Sequence, residues 1–153
     1  MRAAVFHGIR DIRIEDIPRP RPGPGEALLR VGSVGICGTD LRIYAHGHHR
    51  IPPGTCRVLG HELAGEIVEV GAAVRGLRVG MRVGVAPNVG CGTCPQCVAG
   101  WTNLCPDYAG FGISLDGGFA EYMLITEDAI RQGNVAAVPD GVPDHIAALA
   151  EPL

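Results

Sequence analysis

The 153-residue sequence predicts a mainly β fold, mostly antiparallel and barrel-like, on three observations. Short runs of strand-forming residues recur along it, Gly and Pro punctuate those runs at turn spacing, and the helical signal is thin. The first strand signal is IRIE (12–15), where apolar and charged residues alternate with the period of two of a half-buried strand. ALLRV (27–31) follows the turn-rich PRPRPGPG (18–25), a biased stretch too short to be a linker. EIVEV (66–70), MRVGV (81–85) and FAEYMLI (119–125) continue the series, with VRGLRVG (74–80) as the turn between the first two. Two short helices are expected. One begins near Thr39, where the hydroxyl suits a cap for TDLRIYA, and one lies in PDHIAALAEPL (143–153), where Pro143 and Asp144 suit a helix start.

A chain of this length fits one domain with a real core, here taken as 1–153. Its 46% hydrophobic and 19% charged residues, with 23 Gly and 12 Pro, mark a soluble, turn-rich globular protein. The net charge is −3, and all 13 basic residues are arginines scattered along the chain, so no basic run provides the footprint of a nucleic-acid binder. The N-terminal MRAAVFHGIR lacks the apolar core of a signal peptide, and no apolar run approaches the ~18 residues of a membrane span. A cytoplasmic location is therefore expected, and in a reducing compartment clustered cysteines point to metal rather than to disulfides.

Four of the six cysteines fall in CGTCPQCVAGWTNLC (91–105), where Cys91, Cys94, Cys97 and Cys105 are spaced C-x2-C-x2-C-x7-C. Four thiolates saturate a tetrahedral zinc and leave no position for water or substrate, so the lobe 88–110 reads as a structural zinc site that contributes folding energy. An iron–sulfur site and a zinc-ribbon nucleic-acid module are the alternatives, the second weakened by the missing basic patch.

Open-site chemistry needs other ligands, and GICGTD (35–40) and GHELAGEIVEVG (60–71) offer them. Taken singly, Cys37 reads as a small buried residue, His61 as a structural histidine and Glu62 as a solvated carboxylate. Together they supply a thiolate, an imidazole and a carboxylate, a set suited to a catalytic zinc that keeps one position free.

GHELAGEIVEVGAAV (60–74) resembles the zinc signature of the medium-chain alcohol dehydrogenases: Gly-His-Glu, then Gly65, Gly71 and Val74 at the family spacing. The four-cysteine lobe resembles that family's structural zinc loop, and DGGFAEYMLI (116–125) the strand after it, so the likeness runs in order along nearly the whole chain. It implies a GroES-like, partly open β-barrel with a few short helices and two zinc ions. The catalytic metal falls to the positions matching Cys37 and His61, with Glu62 as ligand or exchangeable neighbour. Glu151 in AEPL resembles the acidic residue that approaches the metal in sorbitol and other polyol dehydrogenases, and is otherwise an ordinary helix-end carboxylate.

The implied activity is oxidation of an alcohol or polyol to a ketone or aldehyde, zinc polarising the alcohol oxygen and NAD or NADP accepting hydride. Thr39, two residues after Cys37, is placed to hydrogen-bond the alcohol and pass its proton outward, unless it or Asp40 serves as a helix cap. The sequence departs from the family five residues after Cys37: a histidine ends the proton relay in many members, and Arg42 stands here, permanently protonated. Arg42 is available to pair with an anion, and His46, His48 and His49 either replace the relay, line a substrate entrance or form solvated surface. Substrate-lining positions are expected near Arg42, Tyr44 and 46–57; Cys56 has no assigned role.

The family's Rossmann domain has no counterpart here, since no G-x-G-x-x-G occurs. The chain is accordingly expected to be the catalytic domain of a longer, homo-oligomeric enzyme, inactive alone, with cofactor-binding residues and the choice of NAD or NADP outside it. The competing reading is a stand-alone, non-catalytic zinc-binding module, against which the complete set Cys37, Thr39, His61 and Glu62 argues. A metal-free quinone-reductase-like relative would have no use for either donor set.

Overall fold

Ten strands, all paired antiparallel, carry the fold, and the computed structural model describes residues 1–153. They are β1 (Arg2–Gly8), β2 (Asp11–Asp16), β3 (Ala27–Gly35), β4 (Arg57–Val58), β5 (Glu62–Val70), β6 (Arg82–Val85), β7 (Asn88–Val89), β8 (Ala109–Gly110), β9 (Tyr122–Ile125) and β10 (Val135–Ala137). Four short helices join them: α1 (Gly38–His46), α2 (Pro95–Val98), α3 (Glu127–Arg131) and α4 (Asp144–Ala147). A five-stranded sheet runs β10-β6-β5-β3-β9, a three-stranded one β2-β1-β4, and β7 pairs with β8 across the base of the cysteine segment. A bridge between Ala3 and Ala120 links the sheets into the partly open barrel the sequence predicts. No helix is long and apolar enough to cross a membrane.

The strands form where alternation meets burial. β6 and β9 bury every second residue, Val83 and Val85 on one, Met123 and Ile125 on the other. With Leu29, Leu63, Ile67 and Phe111 these make the main core. Central β3, paired on both sides, begins with three consecutive buried residues, Ala27, Leu28 and Leu29. Its contact with β5 needs bare backbone at Gly65, where a Cβ would meet the Arg30 carbonyl oxygen, and at Gly71, where it would meet the carbonyls of Gly23 and Pro24. Gly65 of the signature is therefore a packing requirement of the β3–β5 pair, and Gly71 one of the turn at 23–24 against the end of β5.

Helix α1 starts at Gly38 with Cys37 as its N-cap, so Thr39 lies in the first turn and is not the cap. Asp40 and Ile43, three residues apart, share its inward face, and Ile43 packs with Phe6, Ile51 and Leu59 in a second core. That contact fixes the helix on β1 and so fixes Cys37. Gly47 ends it at φ 73°, its N–H reaching the Ile43 carbonyl at 2.8 Å. The last helix forms as predicted after Pro143, and Arg82 secures it with Nε 3.0 Å from Asp144 Oδ1 and a 2.6 Å bond to the Val142 carbonyl. β1, the short strands β4, β7, β8 and β10, and helices α2 and α3 have no counterpart in the sequence prediction: α2 and α3 span one turn each, and β1 owes its length to pairing with β2.

Candidate metal centres

The cysteine lobe is built by backbone turns that aim sulfur inward. The Sγ atoms of Cys91, Cys94, Cys97 and Cys105 all lie within 4.8 Å of one another, and none is in a disulfide. Sulfurs about 2.3 Å from a tetrahedral zinc lie roughly 3.8 Å apart, and Cys94 and Cys105 are separated by 3.8 Å. Backbone N–H groups donate to these sulfurs: Cys94 to Cys91 at 3.3 Å, Cys97 to Cys94 at 3.4 Å and Cys91 to Cys105 at 3.3 Å. Bonds of this kind favour thiolate, and the Thr93 backbone N–H, with the Thr93 hydroxyl and Cys94 N–H, brings the Cys91 thiol down to about 6. At Cys97 the Gly92 N–H pulls the same way, but desolvation and the neighbouring thiols outweigh it and push the group up to about 11. Gly90 must lack a side chain, because a Cβ there would overlap Cys97 Sγ. The donor set and spacing fit one zinc with all four positions filled.

The second centre is assembled from parts far apart in sequence. Cys37 caps α1, while His61 and Glu62 lead into β5, and their donor atoms lie within 4.8 Å of one another. Register explains the meeting: Gly35 pairs with Glu62 in the β3–β5 ladder, two residues before Cys37. Gly35 is also where a Cβ would strike the Glu62 carboxylate. His61 and Glu62 are buried and Cys37 half-buried.

Asp40 holds the two parts together. Its carboxylate accepts the Cys37 N–H at 2.9 Å and the Gly60 N–H at 3.2 Å, and lies 3.8 Å from His61 Nδ1. Asp40 is 4% exposed, so both bonds are sheltered from water. Sequence reasoning raised Asp40 only as a helix cap; its link to Gly60 becomes visible only when the helix is docked. His61 Nδ1 is buried without a hydrogen-bond partner. That nitrogen faces Asp40, and an imidazole, a thiol and a carboxylate whose donor atoms gather within 4.8 Å form a donor set that fits zinc, with a position left for a further ligand.

The family profile described as the alcohol dehydrogenase GroES-like domain matches residues 23–140, which contain both donor sets. The chain belongs to this family. As a zinc-type medium-chain dehydrogenase domain it has relatives that are far longer. It is 38% identical over 146 residues to L-threonine 3-dehydrogenase of Xanthomonas campestris pv. campestris (strain B100), covering 94% of this chain and 41% of that protein. Galactitol-1-phosphate dehydrogenase from Escherichia coli superposes with a TM-score of 0.87 at 32% identity, over 99% of this chain and 42% of that one. For 2R,3R-butanediol dehydrogenase from Bacillus subtilis the TM-score is 0.85 at 34% identity, over 99% and 44%. The GroES-like domain thus spans about two fifths of the length of the relatives it matches.

Other sequence-predicted positions fall outside the two centres. Glu151 is not among the residues gathered around His61; it follows the short turn Ala148–Ala150 and lines a hollow with Leu63, Val85 and Asn134. Thr39 is half-buried, and its hydroxyl makes no hydrogen bond to protein. Arg42 is exposed. His48 and His49 stack with centroids 4.4 Å apart and, with His46, line a separate pocket of about 490 Å³ bounded by Phe6 and Ile51. Arg50 closes that loop over the lobe, its guanidinium 4.8 Å from the Tyr108 ring centroid and bonded to the Tyr108 carbonyl.

Proposed function

We propose that this chain is the zinc-bearing catalytic domain of an NAD- or NADP-dependent alcohol or polyol dehydrogenase. The observation that carries the reading is the convergence of Cys37, His61 and Glu62 on one largely buried point, separate from a four-cysteine site whose sulfurs would fill all four positions of a zinc. Cys37 and His61 would hold the catalytic zinc, with Glu62 as third ligand or exchangeable neighbour; Cys91, Cys94, Cys97 and Cys105 would hold the structural one. When bound, the catalytic zinc supplies Lewis-acid polarisation of a substrate oxygen, and a nicotinamide cofactor takes the hydride. Two matched structures are described as bound to NADP and to NADH, which supports that cofactor class.

The chain's own residues supply position and a proton path. Asp40 aligns Cys37 with the His61 loop through its two backbone bonds. The Thr39 hydroxyl, unpartnered in the helical turn that begins at Cys37, is assigned the role of taking the alcohol proton. Arg42, exposed and always protonated, accepts none, so the path from Thr39 ends in solvent or on a residue beyond this segment. Secondary alcohols are the favoured substrate class; threonine, a sugar-alcohol phosphate and butanediol are substrates named for the relatives. Glu151 is assigned a role near the metal, and the whole enzyme a homo-oligomeric, cytoplasmic state, on the family resemblance.

Zinc analysis of the purified protein tests the site assignment. One zinc is expected for each donor set, with one equivalent lost in Cys37→Ser and the other in Cys94→Ser. Zinc content unchanged in Cys37→Ser refutes the catalytic centre. Hydride transfer is then assayed in the whole enzyme with NAD+ or NADP+ and a panel of secondary alcohols, where Cys37→Ser should abolish turnover.

A further inference from the structure

The three-stranded sheet carries a side-chain relay that the proposed dehydrogenase chemistry does not use. Cys56 Sγ lies 3.3 Å from His7 Nδ1, and His7 Nε2 lies 2.7 Å from Glu15 Oε1. Two of the residues lie on neighbouring strands and the third directly precedes the next one. Glu15 is on β2, His7 on the central β1, and Cys56 immediately precedes β4. The β1–β4 register, Val5 with Val58 and Phe6 with Arg57, brings Cys56 opposite His7 at its next step. The register of the sheet, continued by one residue past β4, sets the thiol against the imidazole.

The order of the contacts fixes the roles. A carboxylate accepts only, so the 2.7 Å contact places the His7 proton on Nε2 and leaves the Nδ1 lone pair facing the thiol. This is the nucleophile, base and orienting acid arrangement that activates a cysteine. Charged groups around it come from β2: Glu15 itself, and Arg13, which is held by Asp11 through bonds of 2.8 and 2.6 Å and lies within electrostatic range of both Glu15 and Cys56. Cys56 is exposed, unlike the five other cysteines, which are half-buried or buried. His7 and Thr55, on either side of the thiol, also line the pocket of about 490 Å³ that holds His46 and His48, so a group attached at Cys56 has room to lie against the protein.

We propose that Cys56, with His7 as base and Glu15 as positioning residue, is a thiol modification site that reacts with small disulfides. The Cys56 proton passes to His7 Nδ1, and the sulfur attacks one sulfur of the disulfide. A Cys56–S–S–R bond forms as the R–S–S–R bond breaks, and the departing thiolate takes up the proton. Cys56 is oxidised and the disulfide reduced, and a second thiol reverses the step.

The test is the rate of mixed-disulfide formation between the zinc-loaded protein and oxidised glutathione near neutral pH, followed by intact mass and peptide mapping. A single glutathionyl group is expected on Cys56, absent in Cys56→Ser. His7→Gln should slow the reaction by more than about tenfold, as loss of a general base does. Glu15→Gln should slow it less and displace the pH–rate profile, whereas Glu15→Asp should restore both, a pattern that lost packing would not produce. Equal rates in the unaltered protein, His7→Gln and a free cysteine peptide would overturn the proposal, as would reaction at the lobe cysteines in preference to Cys56. Should His7→Gln not fold, a Cys56 rate in the unaltered protein no greater than that of the free peptide refutes it alone.

Discussion

Replacing Asp40 by alanine tests whether one buried carboxylate couples the helix carrying Cys37 to the loop carrying His61. The side chain accepts two backbone N–H groups, from Cys37 and Gly60, with almost no exposure to water. A hydrogen bond to a charged acceptor contributes about 1.5–3 kcal/mol, so two amount to about 3–6 kcal/mol; recovering the desolvation of the carboxylate lowers the net to about 2–4 kcal/mol. Asp40→Asn keeps one acceptor oxygen, so about half that loss is expected. Urea unfolding at fixed free zinc gives the difference, and zinc analysis supplies a second reading. Asp40→Ala should lose the Cys37–His61 zinc and keep the four-cysteine zinc, whose ligands all lie in 91–105. A stability loss below about 1 kcal/mol with both ions retained would show that Asp40 couples nothing, since even one unsatisfied buried donor costs at least that.

Three further predictions test packing and charge. Ile67, fully buried in the main core, should cost about 2–5 kcal/mol on truncation to alanine, read from urea midpoints. Gly65→Ala drives a methyl into the Arg30 carbonyl and should destabilise by about 1–3 kcal/mol or more, and the ladder to Glu62 should shift with it, lowering zinc occupancy at the Cys37 centre. A variant as stable as the parent would refute the close-approach argument. His48 titrates below its usual 6.5 because burial disfavours its charge, with His49, Arg50 and Arg42 adding repulsion. The unfolded chain then takes up this proton first, so the stability His48 contributes is intact above 6.5 and is lost as pH falls through its lower folded value. NMR titration should find that midpoint below 6.5 and moving upward in His49→Gln; a midpoint at or above 6.5 refutes the assignment.

Legibility in the sequence followed the range of the interactions involved. The strands carrying alternating or continuous apolar runs, β3, β5, β6 and β9, are readable because side-chain period and burial act over neighbouring residues. β1 went unread: RAAVFHG has weak alternation and becomes a strand through its partners β2 and β4. The one-turn helices α2 and α3 are shorter than any periodic signal. The helix cap falls at Cys37, two residues before Thr39, since a cysteine cap supported by Asp40 lies outside the usual cap preferences.

The two metal centres divide the same way. Four cysteines within fifteen positions are brought together by local turns, so their spacing alone specifies a closed tetrahedral set. Cys37 and His61 are twenty-four positions apart, and their meeting depends on the β3–β5 register and on Ile43 docking the helix. The resemblance supplied that pairing before the structure did; composition and spacing did not. Glu151, a family match by sequence, is not among the donor atoms gathered with His61; it follows the turn Ala148–Ala150, which packs against β3 and β5. Asp40's bond to Gly60 and the Cys56–His7–Glu15 relay had no sequence signal at all. The first depends on docking of α1 through Ile43 and the second on strands aligned by hydrogen-bonded register, and both are properties of the folded chain.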